Sequence, residues 1–175
     1  RLGALGFLHA PSLGASGNEA LLDQVEALKW VRDNIATFGG DPENVTVFGQ
    51  SAGGFNIVAL MGMEQAAGLF HKAVPMSGSL GMHRTVAEAR VTTDALAHSF
   101  GGVEHLRSVS SDDILQWQLA SSYGYGAVHD GEVIKAPLVD TIGSGIYTKG
   151  IPLMIGSCEH ESALWTAMNP EMQAM

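Results

Sequence analysis

An α/β fold built on a mostly parallel sheet is predicted by three features of the sequence. Short apolar runs alternate with longer stretches of helical periodicity. Glycine and proline clusters punctuate the boundaries between them. One apolar run, Val45–Phe48, passes straight into a glycine-bounded turn that opens a helix, GQSAGG.

The elements follow in order. The first eight residues, RLGALGFL, read as a buried strand ending near His9. PSLGASGN is a turn-rich loop. From Glu19 to Phe38, Leu21, Leu22, Val25, Leu28, Val31, Ile35 and Phe38 recur at helical spacing. Asn18 is the expected N-cap of that helix, and Glu19 suits its dipole. Gly39-Gly40 ends it and Asp41-Pro42 prevents continuation. Val45–Phe48 is a short strand, and Ala52 to about Ala67 is a helix apolar on all sides, hence buried. His71–Met76 is a strand interrupted by Pro75, and Val86–Phe100 an amphipathic helix. A short helix is expected over Asp112–Ala120 within an otherwise mixed stretch, and Ile151–Ile155 reads as a strand bounded by glycines. There is no repeat, linker or low-complexity tract, so one domain spanning 1–175 is expected.

Composition narrows the function. The 175 residues are 46% hydrophobic and 15% charged, enough for a packed core. A formal charge of −9 argues against nucleic acid or an anionic membrane surface, both of which need a basic footprint. No apolar run reaches the length of a membrane span. Cys158 is the only cysteine, which rules out an internal disulfide and a thiolate zinc cluster. With no signal peptide in the visible chain, a cytoplasmic location is favoured, although a secreted protein without disulfides would look the same. No H-x-x-x-H or H-E-x-x-H spacing suggests a metal, and no cofactor is expected.

The chemistry centres on Gly49-Gln50-Ser51-Ala52-Gly53. A serine on a very tight strand-to-helix turn projects its hydroxyl above the sheet edge. The turn brings strand and helix so close that side chains two residues on either side would collide, and glycine at both places removes the collision. Gly54 adds room. The amide of Ala52, at a helix N-terminus, points at the same spot and suits an oxyanion. The pattern alone arises by chance in roughly one such chain in five. Its position between a strand and a helix is what favours a nucleophile over an ordinary serine cap.

The stretch GNEALLDQVEALKWVRDNIATFGGDPENVTVFGQSAGG, 17–54, resembles the type B carboxylesterase family, the group of carboxylesterases, cholinesterases and para-nitrobenzyl esterases on the α/β-hydrolase fold. Ser77-Gly78 fits its next strand end, and VHDGEVIKAPLVDTIGSG followed by IPLMIGSCEHES resembles the segment leading to its acidic triad member. The likeness is weakest over 82–127. Ala20 stands where the family usually has glycine, and Gln50 where glutamate is commoner. The resemblance implies a partial α/β-hydrolase fold, Ser51 as nucleophile, Glu161 as the acid, Ala52 as oxyanion donor, and a small-molecule ester as substrate. Position alone leaves Glu159 as an alternative acid. Ser77 is implied to hydrogen-bond near the acid.

In the family order of serine, acid, histidine, no histidine follows Glu161 here, and no glycine-rich oxyanion run precedes Ser51. Both are expected outside this chain, which begins at Arg1 within an apolar run. Of the internal histidines, His129 is the least poor substitute, and His160 neighbours Glu161 but should point away from it. Met61, Met63, Met76, Trp30 and Cys158 read as packing residues. Asp23 and Arg32 share a helix face only loosely as an ion pair. A catalytically silent binding relative is the alternative function. Oligomeric state is open.

Overall fold

The computed structural model describes residues 1–168. Its centre is a parallel pair, β3 (Thr46–Gln50) and β4 (Lys72–Met76), in register from Thr46 opposite Lys72 to Gln50 opposite Met76. The crossover between them is α3 (Ala52–Met61), which packs on both strands. A parallel pair needs such a crossover. On the same layer lies α2 (Glu19–Asn34), continued as a 3₁₀ turn over Ile35–Phe38 and stopped by Gly39 at φ 83°. Leu21 and Val25 of α2 meet Ile57, Leu60 and Met61 of α3 in the main core, with Met63, Leu69, Phe70, Ala127, Ile134 and Leu138.

A second region is built from 82–130. Thr85 caps α4 (Val86–Ser99) with a reciprocal bond to Glu88. Ser110 caps α5 (Ser111–Ala120). Arg84–Thr85 (β5) pairs in parallel with Val128–His129 (β6), and a small cluster of Leu96, Ala97 and Leu106 packs with Phe100 and Trp117. The helix α6 (Leu138–Ser144) closes over α3.

Several expectations are corrected. The first eight residues are not a strand. Ala4–Phe7 (α1) winds into one helical turn, and only His9–Ala10 (β1) is extended, pairing with Ala15–Ser16 (β2). Gly3 at φ 53° turns the chain, its carbonyl accepts from the Gly6 and Phe7 amides, and Gly6 lies against Ala20. An apolar run of this length does not distinguish strand from helix by itself. The helix expected to reach Ala67 stops at Met61 with Gly62 as its C-cap, where a side chain would meet Leu138 and Thr141 of α6; a 3₁₀ turn over Glu64–Ala66 follows.

Residues 151–155 form no continuous strand. The segment bridges β4 in parallel at Leu153 and, one residue past its end, at Gly156. The Ala73 and Ser77 amides donate to Pro152 and Gly156, and Pro75 between them has no N–H to give. Asn18 occupies the N-cap position of α2, but its side chain makes no cap. It is fully buried and grips the Val128 backbone, donating to the carbonyl at 2.8 Å and accepting from the amide at 2.8 Å. Glu19 accepts from the amides of Ser16 and Gly17, which precede the helix. Asp23 and Arg32 do not pair: Asp23 binds Arg1, and Arg32 binds Asp33.

Candidate active site

Two turns at the C-terminal ends of β3 and β4 build the site. Ser51 follows β3 with φ 53° and ψ −119°, and Ser77 follows β4 with φ 51°. These are the positive-φ residues other than glycine among those described. Such backbone costs on the order of 1–3 kcal/mol and persists only where surrounding contacts hold it. At Ser51 the holding bonds are its amide to the Met76 carbonyl at 2.9 Å and its carbonyl to the Phe55 amide at 3.0 Å. The first ties the turn to the neighbouring strand, and the second opens α3. At Ser77 the amide bonds to the Gly156 carbonyl at 2.8 Å.

Two backbone contacts make these turns possible. A β-carbon at Gly49 would stand 2.7 Å from the Gly53 carbonyl carbon. A β-carbon at Gly78 would stand 2.4 Å from the Gly54 carbonyl carbon, and one at Gly54 would stand 2.9 Å from the Met76 carbonyl oxygen. The collision foreseen at the elbow is therefore real but one-sided. A β-carbon at Gly53 meets nothing within 4 Å, because it would point away from the strand. Gly54 is the tighter requirement.

The Ser51 side chain is exposed, and no residue among those described hydrogen-bonds its hydroxyl. Ala52 is the first residue of α3, so its amide is one of the free donors of that helix end. Glu161 lies in the turn before α7 (Ala163–Met168). Its Oε1 accepts from the Ser77 hydroxyl at 2.5 Å and from the Cys158 amide at 2.7 Å. Both bonds favour the ionised form and hold its pKa below the ordinary carboxylate range, Ser77 contributing most. Ser77, Gly78, Gly156 and Glu161 line a cleft of about 490 Å³. Cys158 therefore contributes its backbone to the acid.

Of the predicted site residues, the structure joins Ser77 to Glu161 and fixes Ser51 beside Met76, one residue before Ser77. It joins no histidine to either serine or to Glu161 among the described residues. His129 sits in β6, over a different cavity lined by Arg84 and Leu138. Among the described residues Glu159 makes no comparable bonds, in contrast to Glu161. No cluster of three or more metal-ligating side chains occurs among the described residues, and no described helix is long and apolar enough to cross a membrane. Sequence reasoning missed the Cys158 amide, since a backbone donor leaves no mark in residue type.

The model of the carboxylesterase family matches residues 1–175. The para-nitrobenzyl esterase of Bacillus subtilis (strain 168) is 38% identical over 179 residues, covering 94% of this chain and 36% of the relative. A probable N-octanoylanthranilate hydrolase of Rhodococcus erythropolis is 36% identical over 188 residues, covering 100% of this chain and 41% of the relative. The crystal structure of a Geobacillus stearothermophilus carboxylesterase at pH 6.8 superposes with a TM-score of 0.92 at 34% identity, over 100% of this chain and 40% of that one. The chain thus spans about two fifths of the length of these relatives. The strand–elbow–helix–strand arrangement, together with these likenesses, is that of the α/β-hydrolase fold, and the chain belongs to the carboxylesterase family.

Proposed function

We propose that the protein hydrolyses carboxylic esters through an acyl-enzyme on Ser51. The observation that carries this reading is the exposed Ser51 hydroxyl on a backbone of φ 53°, at the mouth of α3 and two residues from the Gly49–Gly53 contact. A buried or capping serine needs no such strained backbone.

The steps follow from these groups. The Ser51 oxygen attacks the ester carbonyl while an imidazole takes its proton. The carbonyl oxygen becomes an anion, and the Ala52 amide donates to it. The imidazole then protonates the departing alcohol, and water repeats the sequence to release the acid. Glu161 orients the imidazole and stabilises its cation, and its depressed pKa keeps it charged for that role. The resemblance puts the imidazole beyond Met175 and a second set of oxyanion donors before Arg1, and without them residues 1–175 alone should turn over esters weakly or not at all.

A fluorophosphonate probe on the protein as its gene encodes it should label Ser51. Loss of labelling in Ser51→Ala supports the assignment, and labelling that survives the substitution removes it. Absence of labelling in a folded wild-type protein would favour the silent binding relative.

A further inference from the structure

Buried side-chain polar atoms without a hydrogen bond among the described residues gather at one place. The His83 Nε2, the Tyr125 hydroxyl, the His129 Nε2 and the Asp130 Oδ2 lie in or beside the β5–β6 pair, with Gln65 Oε1 set apart from them in the turn after α3. A native structure holds few such atoms, and each calls for an explanation. The pair itself is short: Arg84 stands opposite Val128, and Thr85 opposite His129. The Arg84 amide bonds the Ala127 carbonyl at 2.8 Å. His83 therefore enters one strand, and His129 ends the other.

His83 Nδ1 lies 2.8 Å from the Leu80 carbonyl oxygen. A carbonyl only accepts, so Nδ1 carries the hydrogen of the neutral ring, and a second proton must go to Nε2. There it would make a buried N–H with nothing to accept it. The charges around the ring do not help. Arg84 follows it in β5, and His129 shares a cavity with it from β6. Among the described residues no carboxylate bonds either ring. Asp130, beside His129, gives its Oδ1 to the amides of Glu132, Val133 and Ile134. On α4, which packs on both strands, Glu88 is taken up by Thr85, and Arg90 pairs with Asp94. Lys135, on the loop after β6, pairs with Glu64. The helices α3 and α6 turn the apolar Phe55 and Leu138 toward His83, and Tyr125 adds a neutral phenol. Burial holds the His83 pKa below the ordinary imidazole value; the Leu80 bond opposes this, and His129 adds to it.

We infer that the β5–β6 pair is an acid-sensitive latch, closed while His83 is neutral and released when its Nε2 takes a proton. Opening the pair gives the new N–H water as a partner and separates the cation from Arg84 and His129. The open state thus binds the proton more readily than the closed one. Closure is strongest above the ordinary imidazole range and weakens as pH falls below about 6.5. Each further pH unit raises the opening constant by up to about tenfold, until His83 titrates in the closed state. His83 also lines a cavity with Ala52 and Phe55, so release reaches the flank of α3, the helix that Ser51 opens. The latch does not depend on the chemistry proposed for Ser51.

Amide hydrogen exchange on the protein as encoded, corrected for the intrinsic pH dependence of exchange, tests the latch. Below about pH 6.5, peptides covering 82–86 and 126–130 should lose protection by about tenfold per pH unit, while peptides from α3 keep theirs. His83→Asn keeps an N–H for the Leu80 carbonyl and removes the titration, so protection of the pair should stay level across the same range. A pair that loses no more protection than α3 overturns the inference, and so does a His83→Asn protein that loses as much as wild type. Exchange of the imidazole C2 hydrogen, read residue by residue on the wild-type protein, decides even if the variant does not fold. A His83 midpoint below about 6.5, together with the loss at the pair, supports the latch, and a midpoint at or above that value removes it.

Discussion

Ser51 and Ser77 occupy the same kind of position and do different things. Each follows a strand of one parallel pair, each has φ near 50°, and each turn lies against a glycine backbone. The Ser51 hydroxyl is exposed and unbonded among the described residues, whereas the Ser77 hydroxyl is held 2.5 Å from Glu161. Strained backbone therefore does not by itself mark a nucleophile. It aims a short side chain at a chosen point above the sheet, and what lies at that point decides the role. At Ser51 that point is open space over a helix N-terminus. At Ser77 it is a carboxylate that the Cys158 amide also holds.

The comparison breaks most readily in turnover. On the proposed mechanism, Ser51→Ala should lower kcat for a short-chain ester by on the order of 10⁴–10⁶-fold, whereas Ser77→Ala should cost only about 10–100-fold, because it removes a support and leaves the proposed nucleophile. Equal losses in steady-state assays would mean that Ser77 takes a direct part in the chemistry.

Stability separates the glycines. Gly49→Ala and Gly78→Ala each drive a methyl into backbone, and should destabilise by about 1–3 kcal/mol or more. Gly53→Ala meets nothing within 4 Å and lies in the first turn of α3, so it should be neutral or slightly stabilising. Urea midpoints of the three variants, ranked otherwise, would contradict the one-sided elbow contact.

The smallest effect is a titration. The Ser77 and Cys158 bonds depress the Glu161 pKa, so their contribution is present above the ordinary carboxylate range and fades as pH falls through the folded value. Ser77→Ala should move the Glu161 midpoint upward, toward the ordinary range. Carboxyl-carbon NMR titration reads this directly, and an unmoved midpoint would assign the depression to the Cys158 amide.

Much of the site was legible because its demands act through residue type. Gly49 is a residue that a strand pressed on its own crossover requires, and Ser51 after it reads as the tip of the turn, whereas the second requirement falls on Gly54 and not on the expected Gly53. The capping box at Thr85 and the Ser110 cap of α5 obey local rules that need no knowledge of the rest. The misreadings share a cause. Asn18 stands where a cap belongs, yet Val128, 110 positions away, claims its amide. Residues 4–7 are apolar enough for a strand, yet Gly3 turns them and Gly6 is pressed on Ala20. Ile151–Ile155 has strand composition, yet Pro75 of the neighbouring strand has no N–H to bond it.

By itself the sequence determined the strand–elbow–helix unit, the family, and the identity of Ser51 and Glu161 as the residues to watch. The unit and Ser51 follow from glycine sterics, helical periodicity and short-range order, and the family and Glu161 from the resemblance of the surrounding motifs. The tertiary structure alone decided that a backbone amide at Cys158 completes the hold on Glu161, and that Asn18 grips Val128 instead of capping α2. The physical reason is that hydrogen bonds and cavities depend on where atoms arrive in space, and backbone donors are the same for every residue but proline.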